Sequence, residues 1–172
     1  MRKMIVFLFC ISAFLAQSTI ADTIATIQTK LFKVHVQSLK IATIFPAYPD
    51  MNPPFDNKKT IPLAAGKNKT LICLKLAVDN ISEAKQSFRI GDIQAMSSDR
   101  TLALVAVGLG EQPVVIKQSD LTKALNTIEV VESRKDTPPM SYRFPVYVFE
   151  ANQGTKSLKL RYKDSDWIDL KE

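Results

Sequence analysis

The chain has one histidine, His35, and two cysteines, Cys10 and Cys73, and these few residues bound the chemistry it can perform. A Ser-His-Asp or Cys-His site needs an imidazole beside its nucleophile. Any such site would have to use His35, which alternates with Val34 and Val36 and shares the solvent side of a strand with Lys33 and Gln37. That is the setting of a surface histidine, not of a general base. Zinc or copper calls for three or four converging His, Cys, Asp or Glu ligands, and the chain is poor in the first two. Asp50, Asn52 and Asp56 offer oxygens to calcium but lack the dense Asp/Asn spacing of a calcium loop. Gly66-Lys67 with Thr70 is similar to a nucleotide-binding loop, yet Ile61 stands where the first glycine belongs and Asn68 follows the lysine. Gly108 and Gly110 lack a third glycine, Pro113 holding that position, so both glycine sites read as turns. Glu129 and Glu132 are the nearest carboxylate pair for glycoside hydrolysis. They flank Val130-Val131 and read more simply as the polar ends of a short strand.

The elements that would position these residues are mostly strands. In Lys69 to Asn80, Ile72, Leu74, Leu76 and Val78 share one side, and Cys73, Lys75, Ala77 and Asp79 the other, which is the period of a half-buried strand. Phe32, Val34 and Val36 follow the same rule, and Leu39, Ile41 and Thr43 continue it after a change of phase near Ser38. Phe88, Ile90 and Ile93 mark further strands around Gly91-Asp92. Ser97-Ser98-Asp99-Arg100 is a polar turn, and Thr101 to Val107 an apolar run. Tyr142 to Phe149 alternates, with Pro145 requiring an edge strand or one-sided pairing at that point. Asn152-Gln153-Gly154 then turns into Leu158, Leu160 and Tyr162, so these two strands read as a hairpin. Phe45 to Pro62, with five prolines, reads as a long loop. Ser119 to Thr127 predicts one short helix, Leu121, Ala124, Leu125 and Ile128 forming its stripe and Ser119 or Asp120 its cap. About seven short strands and one helix predict an all-β, antiparallel immunoglobulin-like sandwich in a single domain.

Residues 1–21 have the layout of a secretory signal peptide: Arg2 and Lys3, an apolar run from Met4 to Ala16, and Thr19-Ile20-Ala21 ahead of Asp22. The run is short for a bilayer span, and no later segment is longer. Phe9 before Cys10 argues against a lipid anchor there. Cleavage after Ala21 removes two of the 23 basic residues and none of the 17 acidic ones, leaving 21 against 17, a net charge of +4, and one cysteine. Residues 22–172 are then expected to form a secreted or periplasmic domain large enough to fold without a disulfide. Cys73 reads as a small buried apolar residue. Lys159, Arg161 and Lys163 alternate, but Asp164, Asp166 and Asp169 follow at once, so the row reads as a solvated face and not as a nucleic-acid surface. Asn68-Lys69-Thr70 and Asn80-Ile81-Ser82 are glycan acceptors if the cell is eukaryotic.

The order Gly66-Lys67 through Asn80, Phe88 to Ile90, the turn Ser97 to Arg100, Val148-Phe149-Glu150 and Leu158 to Tyr162 resembles the telokin-like, immunoglobulin-like domains of bacterial secreted proteins and lipoproteins. The resemblance spans residues from about 30 to 170 and implies a sandwich fold outside the cytoplasm. It supplies no catalytic residue and no cofactor. The segments Phe45–Pro62 and Gly110–Ser141 are longer than that family's pattern.

With no cofactor implied, recognition is the function expected: a non-enzymatic domain that binds a protein or cell-envelope component. The residues expected to make the contact are Phe45, Tyr48, Met51 and Phe55 in the proline-rich segment and Met140 after Pro138-Pro139. Proline stiffens such segments and lowers the entropy lost on binding. These side chains have a second reading, as a lid folded back on the sandwich. The alternative function is an inhibitor or accessory subunit of a secreted hydrolase, presenting the same loops into its cleft.

Overall fold

The structure, a computed structural model, describes residues 23–48, 60–109, 114–116, 118–126, 128–131 and 145–171. Its strands are β1 (Ala25–Gln28), β2 (Phe32–Ala42), β3 (Ile44–Ala47), β4 (Ile61–Ala64), β5 (Lys69–Asn80), β6 (Gln86–Arg89), β7 (Ile93–Ser97), β8 (Arg100–Thr101), β9 (Ala103–Leu109) and β10 (Val114–Val115). After them come one helix, α1 (Leu121–Leu125), and β11 (Ile128–Val131), β12 (Pro145–Asn152), β13 (Ser157–Tyr162) and β14 (Ile168–Lys171). Among the described residues no helix is long and apolar enough to cross a membrane.

One layer is a six-stranded antiparallel sheet in the order β1-β2-β5-β12-β9-β10. The facing layer holds the sheet β14-β13-β7-β8 and the ribbon β11-β6. Between them lies a core to which β2 gives Phe32, Val34 and Val36, β5 gives Ile72, Leu74, Leu76 and Val78, and β12 gives Tyr147 and Phe149. The facing layer answers with Phe88, Ile93, Leu158, Leu160, Tyr162 and Leu170. Each such side chain contributes about 1.5–3 kcal/mol by leaving water. An aromatic trio locks the layers together. Phe88 stacks on Tyr162 with ring centroids 4.9 Å apart, and Phe32 meets both edge-on at 5.7 and 5.8 Å. Such geometry adds roughly 0.5–1.5 kcal/mol per pair beyond burial.

The all-β antiparallel architecture with one short helix is therefore the one its alternation predicts. The change of phase near Ser38 is a β-bulge: Val36 pairs with Leu76 and Ser38 with Lys75, leaving Gln37 as the extra residue. Leu39 and Ile41 thereby return to the core side. Pro145 pairs with Leu109 of β9, whereas pairing with β5 begins only at Val146, so the ring sits where no ladder donor is needed on that side.

Several local expectations need correction. β12 and β13 are not a hairpin: β12 lies between β5 and β9, and β13 between β14 and β7, so the Asn152–Gly154 turn carries the chain from one layer to the other. Alternation and a turn signal look the same in both cases. Phe45 to Pro62 is not loop throughout, since β3 and β4 pair antiparallel at its two ends. Pro46 lies opposite Pro62 in that ribbon, which among the described residues has two strands, so each ring forgoes a donor that no third described strand would use. The run from Thr101 to Val107 is split at Leu102 between β8 and β9. The helix is shorter than expected and is preceded by a 3-10 turn at Gln118–Asp120. Asp120 occupies the N-cap position but makes no side-chain cap bond; its backbone is already helical there (φ −100°, ψ −2°), which withholds the extended geometry a cap needs.

Candidate functional site

β3 and β4 lie on the outer face of the six-stranded sheet. Leu71 of β5, Ala106 of β9 and Val148 of β12 form a second buried cluster there, and Phe45 of β3 and Leu63 of β4 pack against it. Phe45 is thus half-buried as a cover for the sheet, which is the lid reading of this residue. Tyr48, also half-buried, is fixed through its backbone: its carbonyl accepts from the Val115 amide at 2.9 Å, and the residue bridges to Val114 in parallel sense. Met51, Phe55 and Met140 lie outside the described residues, as do Asp50, Asn52, Asp56 and Glu132.

The outward side of the same ribbon carries residues that alternation could not find while this segment was read as loop. Ile44 pairs with Ala64 and Pro46 with Pro62, and all four are exposed, Ile44 at 58 %. Strand pairing continues to Ala47 and Ile61, so both ends of the segment 49–59 emerge from a paired base. The four residues form one apolar strip on the outward side of the ribbon.

A second concavity is polar. Ser87 and Arg89 from β6, Ile128 from β11, Asp92 from the 3-10 turn Ile90–Asp92 and Lys163 after β13 wall a pocket of about 320 Å³. Lys163 adopts φ 51°; its amide donates to the Asp92 carbonyl at 2.8 Å, and its Nζ lies 3.5 Å from Asp92 Oδ2. Beneath these groups the Tyr147 hydroxyl donates to the Ile90 carbonyl at 3.2 Å. Burial, and then the neighbouring Asp92 charge, push the Tyr162 phenol above the usual tyrosine range, with Arg89 opposing. Tyr147 is raised too, chiefly by burial. Lys163 also borders a larger, mostly apolar hollow of about 520 Å³ beside Leu31, Phe32 and Tyr162.

The remaining residues singled out for chemistry are placed as follows. His35 is half-buried, its Nδ1 3.0 Å from Thr26 Oγ1 on the neighbouring strand. The Cys73 thiol lies on the outer face of β5 and is pushed up to about 11, mainly by burial, with Lys40 across the ladder pulling the other way. Gly66 to Lys69 is a turn, Lys69 N–H donating to the Gly66 carbonyl. It is tied to β12 by Gly66 N–H donating to Glu150 Oε1 and Lys69 Nζ to Asn152 Oδ1. Gly108 is a ladder residue opposite Val146. Glu129 lies in β11, paired with Phe88. Among the described residues no three His, Cys, Asp or Glu side chains are grouped as a metal site. The basic row is divided: Arg161 Nε donates to Gln94 and its guanidinium lies 4.5 Å over the Trp167 ring, while Lys163 serves Asp92.

No family model and no curated protein matches the chain. Among solved structures, an uncharacterized beta-sandwich protein from Clostridium difficile 630 is similar in fold, with a TM-score of 0.50 over 88 % of this chain and 91 % of that one at 9 % sequence identity. At that identity the likeness concerns the sandwich alone.

Proposed function

We propose that this chain is a secreted or periplasmic, non-enzymatic binding domain of the telokin-like, immunoglobulin-like kind, and that it recognises a protein or cell-envelope component through its long loops. The observation that supports the reading is the β3–β4 ribbon. It buries Phe45 and Leu63 against the sheet, turns Ile44, Pro46, Pro62 and Ala64 to solvent, and holds both ends of the segment that carries Met51 and Phe55. The leader-like residues 1–21 support an extracytoplasmic location.

The test is capture from envelope extract. Three forms of the domain are compared: wild type, one with residues 49–59 and 136–142 replaced by short Gly-Ser turns, and Ile44→Lys. Loss of the captured partner in the loop-replaced form, with at least a tenfold weakening in Ile44→Lys, is the expected outcome; a single desolvated apolar anchor is commonly worth about 1.4 kcal/mol or more. Equal capture by all three forms would refute the assignment.

A further inference from the structure

We propose that the β3–β4 ribbon docks on an anionic phospholipid surface, its outward strip entering the headgroup layer and the lysines around it answering the phosphates. The inference rests on the partner-surface reading of the ribbon and names the envelope component that this surface meets. The strip is apolar but small: Ile44, Pro46, Pro62 and Ala64, all exposed. Lysines border it. Lys40 is exposed on the same outer face, opposite Cys73, which packs against the cluster that Phe45 and Leu63 cover. Lys67 is exposed in the turn that follows β4, and Lys69 closes that turn with its Nζ on the neutral Asn152 side chain. Among the described residues, the carboxylates of this face are Asp79 and Glu150. Asp79 is fully buried opposite Lys33, and Glu150 accepts from the Gly66 amide. Positive charge therefore prevails around the strip. In the facing layer the cations have acidic neighbours instead, Lys163 serving Asp92 and Lys159 standing opposite Asp169.

The kind of cation separates a lipid surface from a protein partner. Arg89, Arg100 and Arg161 all lie in the facing layer, whereas the ribbon's face carries lysines and no arginine among the described residues. Protein–protein interfaces are enriched in arginine and aromatic residues and depleted in lysine. The planar guanidinium fork suits a carboxylate held in one place. A hydrated ammonium on a long stem suits headgroup phosphates that move and keep no fixed position. The strip fits the same partner. It holds no aromatic ring of the kind that anchors in a protein pocket. A few aliphatic side chains with cations beside them hold a peripheral protein at the boundary of headgroups and acyl chains, by apolar burial and charge together.

The experiment is sedimentation of residues 22–172 with vesicles of phosphatidylcholine alone, and of phosphatidylcholine and phosphatidylglycerol in equal parts. Binding is expected to the anionic vesicles only, and salt at about 1 M, where charges are screened beyond about 3 Å, should release most of it. Lys40→Gln combined with Lys67→Gln should weaken binding roughly 25-fold, about fivefold for each lysine near the surface. Lys159→Gln combined with Lys171→Gln takes the same charge from the facing layer and should leave binding near wild type. Ile44→Ser, which keeps the net charge, should weaken it several-fold. Trp167, also in the facing layer, should keep its emission maximum on the vesicles. The proposal is overturned by absent binding, by equal binding to the two vesicle types, by equal losses from the two lysine pairs, by full binding of Ile44→Ser, or by a blue shift of Trp167. Tighter binding to a soluble polyglutamate peptide than to the anionic vesicles would overturn it in favour of an acidic protein. If no vesicle binds while an extract partner is still lost with Ile44→Lys, this inference fails and the partner-surface reading stands; equal capture by all three forms removes that reading itself.

Discussion

Asn80 shows how far one side chain can be committed to a fold. It is 0 % exposed; its amide nitrogen donates to the Ala84 and Val131 carbonyls at 2.7 and 2.9 Å, and its oxygen accepts from the amide and hydroxyl of Ser82. The Asn80-Ile81-Ser82 acceptor triplet is therefore closed in the folded protein, whereas Asn68 is exposed in a turn at φ 59°. Cys73 is committed in another way. Burial raises its thiol from 9.0 to about 11, so the folded state holds a proton that the unfolded state releases earlier. The stability linked to this group is fully present below pH 9 and is lost as pH rises through about 11. At pH 8 the shift leaves roughly one hundredth of the thiolate an unfolded chain would have. A disulfide reagent should then modify native Cys73 about 100-fold more slowly than the denatured protein, with the native rate climbing toward pH 11. Equal rates in the two states would show the thiol to be exposed and ordinary.

At the scale of elements, Gly91 decides how the short helix meets the rest. A Cβ placed there would stand 2.4 Å from the Leu125 carbonyl oxygen, a backbone atom with no rotamer to yield. The close approach seats α1 on the 3-10 turn that carries Asp92, so the helix helps to hold the polar pocket in shape. Gly91→Ala should cost about 2 kcal/mol, the scale of overpacking, seen as a lower denaturation midpoint with an unchanged denaturant slope; a variant as stable as wild type would show that the helix can shift freely. The Gly91 break was legible in the sequence, but its cause was not, because the clash comes from a residue 34 positions away. The same division runs through the fold. Periodicity within a strand showed which side chains face inward, and even the bulge at Gln37, since each depends on neighbours in sequence. Pairing between distant strands did not show, so β12 and β13 looked like a hairpin and the ends of the proline-rich segment like loop. Of the candidate site, Phe45 and Tyr48 were legible as apolar residues in an odd setting. Ile44, Pro62 and the grouping of Arg89 with Asp92 and Lys163 depended on register and on a layer crossing.

For the whole molecule, the central sheet is the organising fact because it is covered on both sides. β12 reads Val146-Tyr147-Val148-Phe149 without a polar break, as a strand buried on both faces must. Tyr147 and Phe149 enter the core between the layers, while Val148 turns to the outer cluster under β3 and β4. The two cores differ in size and in what closes them. The inner one is sealed by a whole layer of strands and the outer one by a ribbon of eight residues. Replacing both Phe45 and Leu63 by Asn should therefore uncover Leu71, Ala106 and Val148 while leaving the aromatic trio of Phe32, Phe88 and Tyr162 packed. Near-ultraviolet circular dichroism is expected to stay near that of wild type, with a loss of about 2–4 kcal/mol from two half-buried side chains. A hydrophobic dye should bind, and gel filtration should show self-association through the exposed strip. Loss of the near-ultraviolet signal in parallel with dye binding would mean that the ribbon and the sandwich fold as one indivisible unit. A signal retained without dye binding or association would mean that the outer cluster does not need its cover.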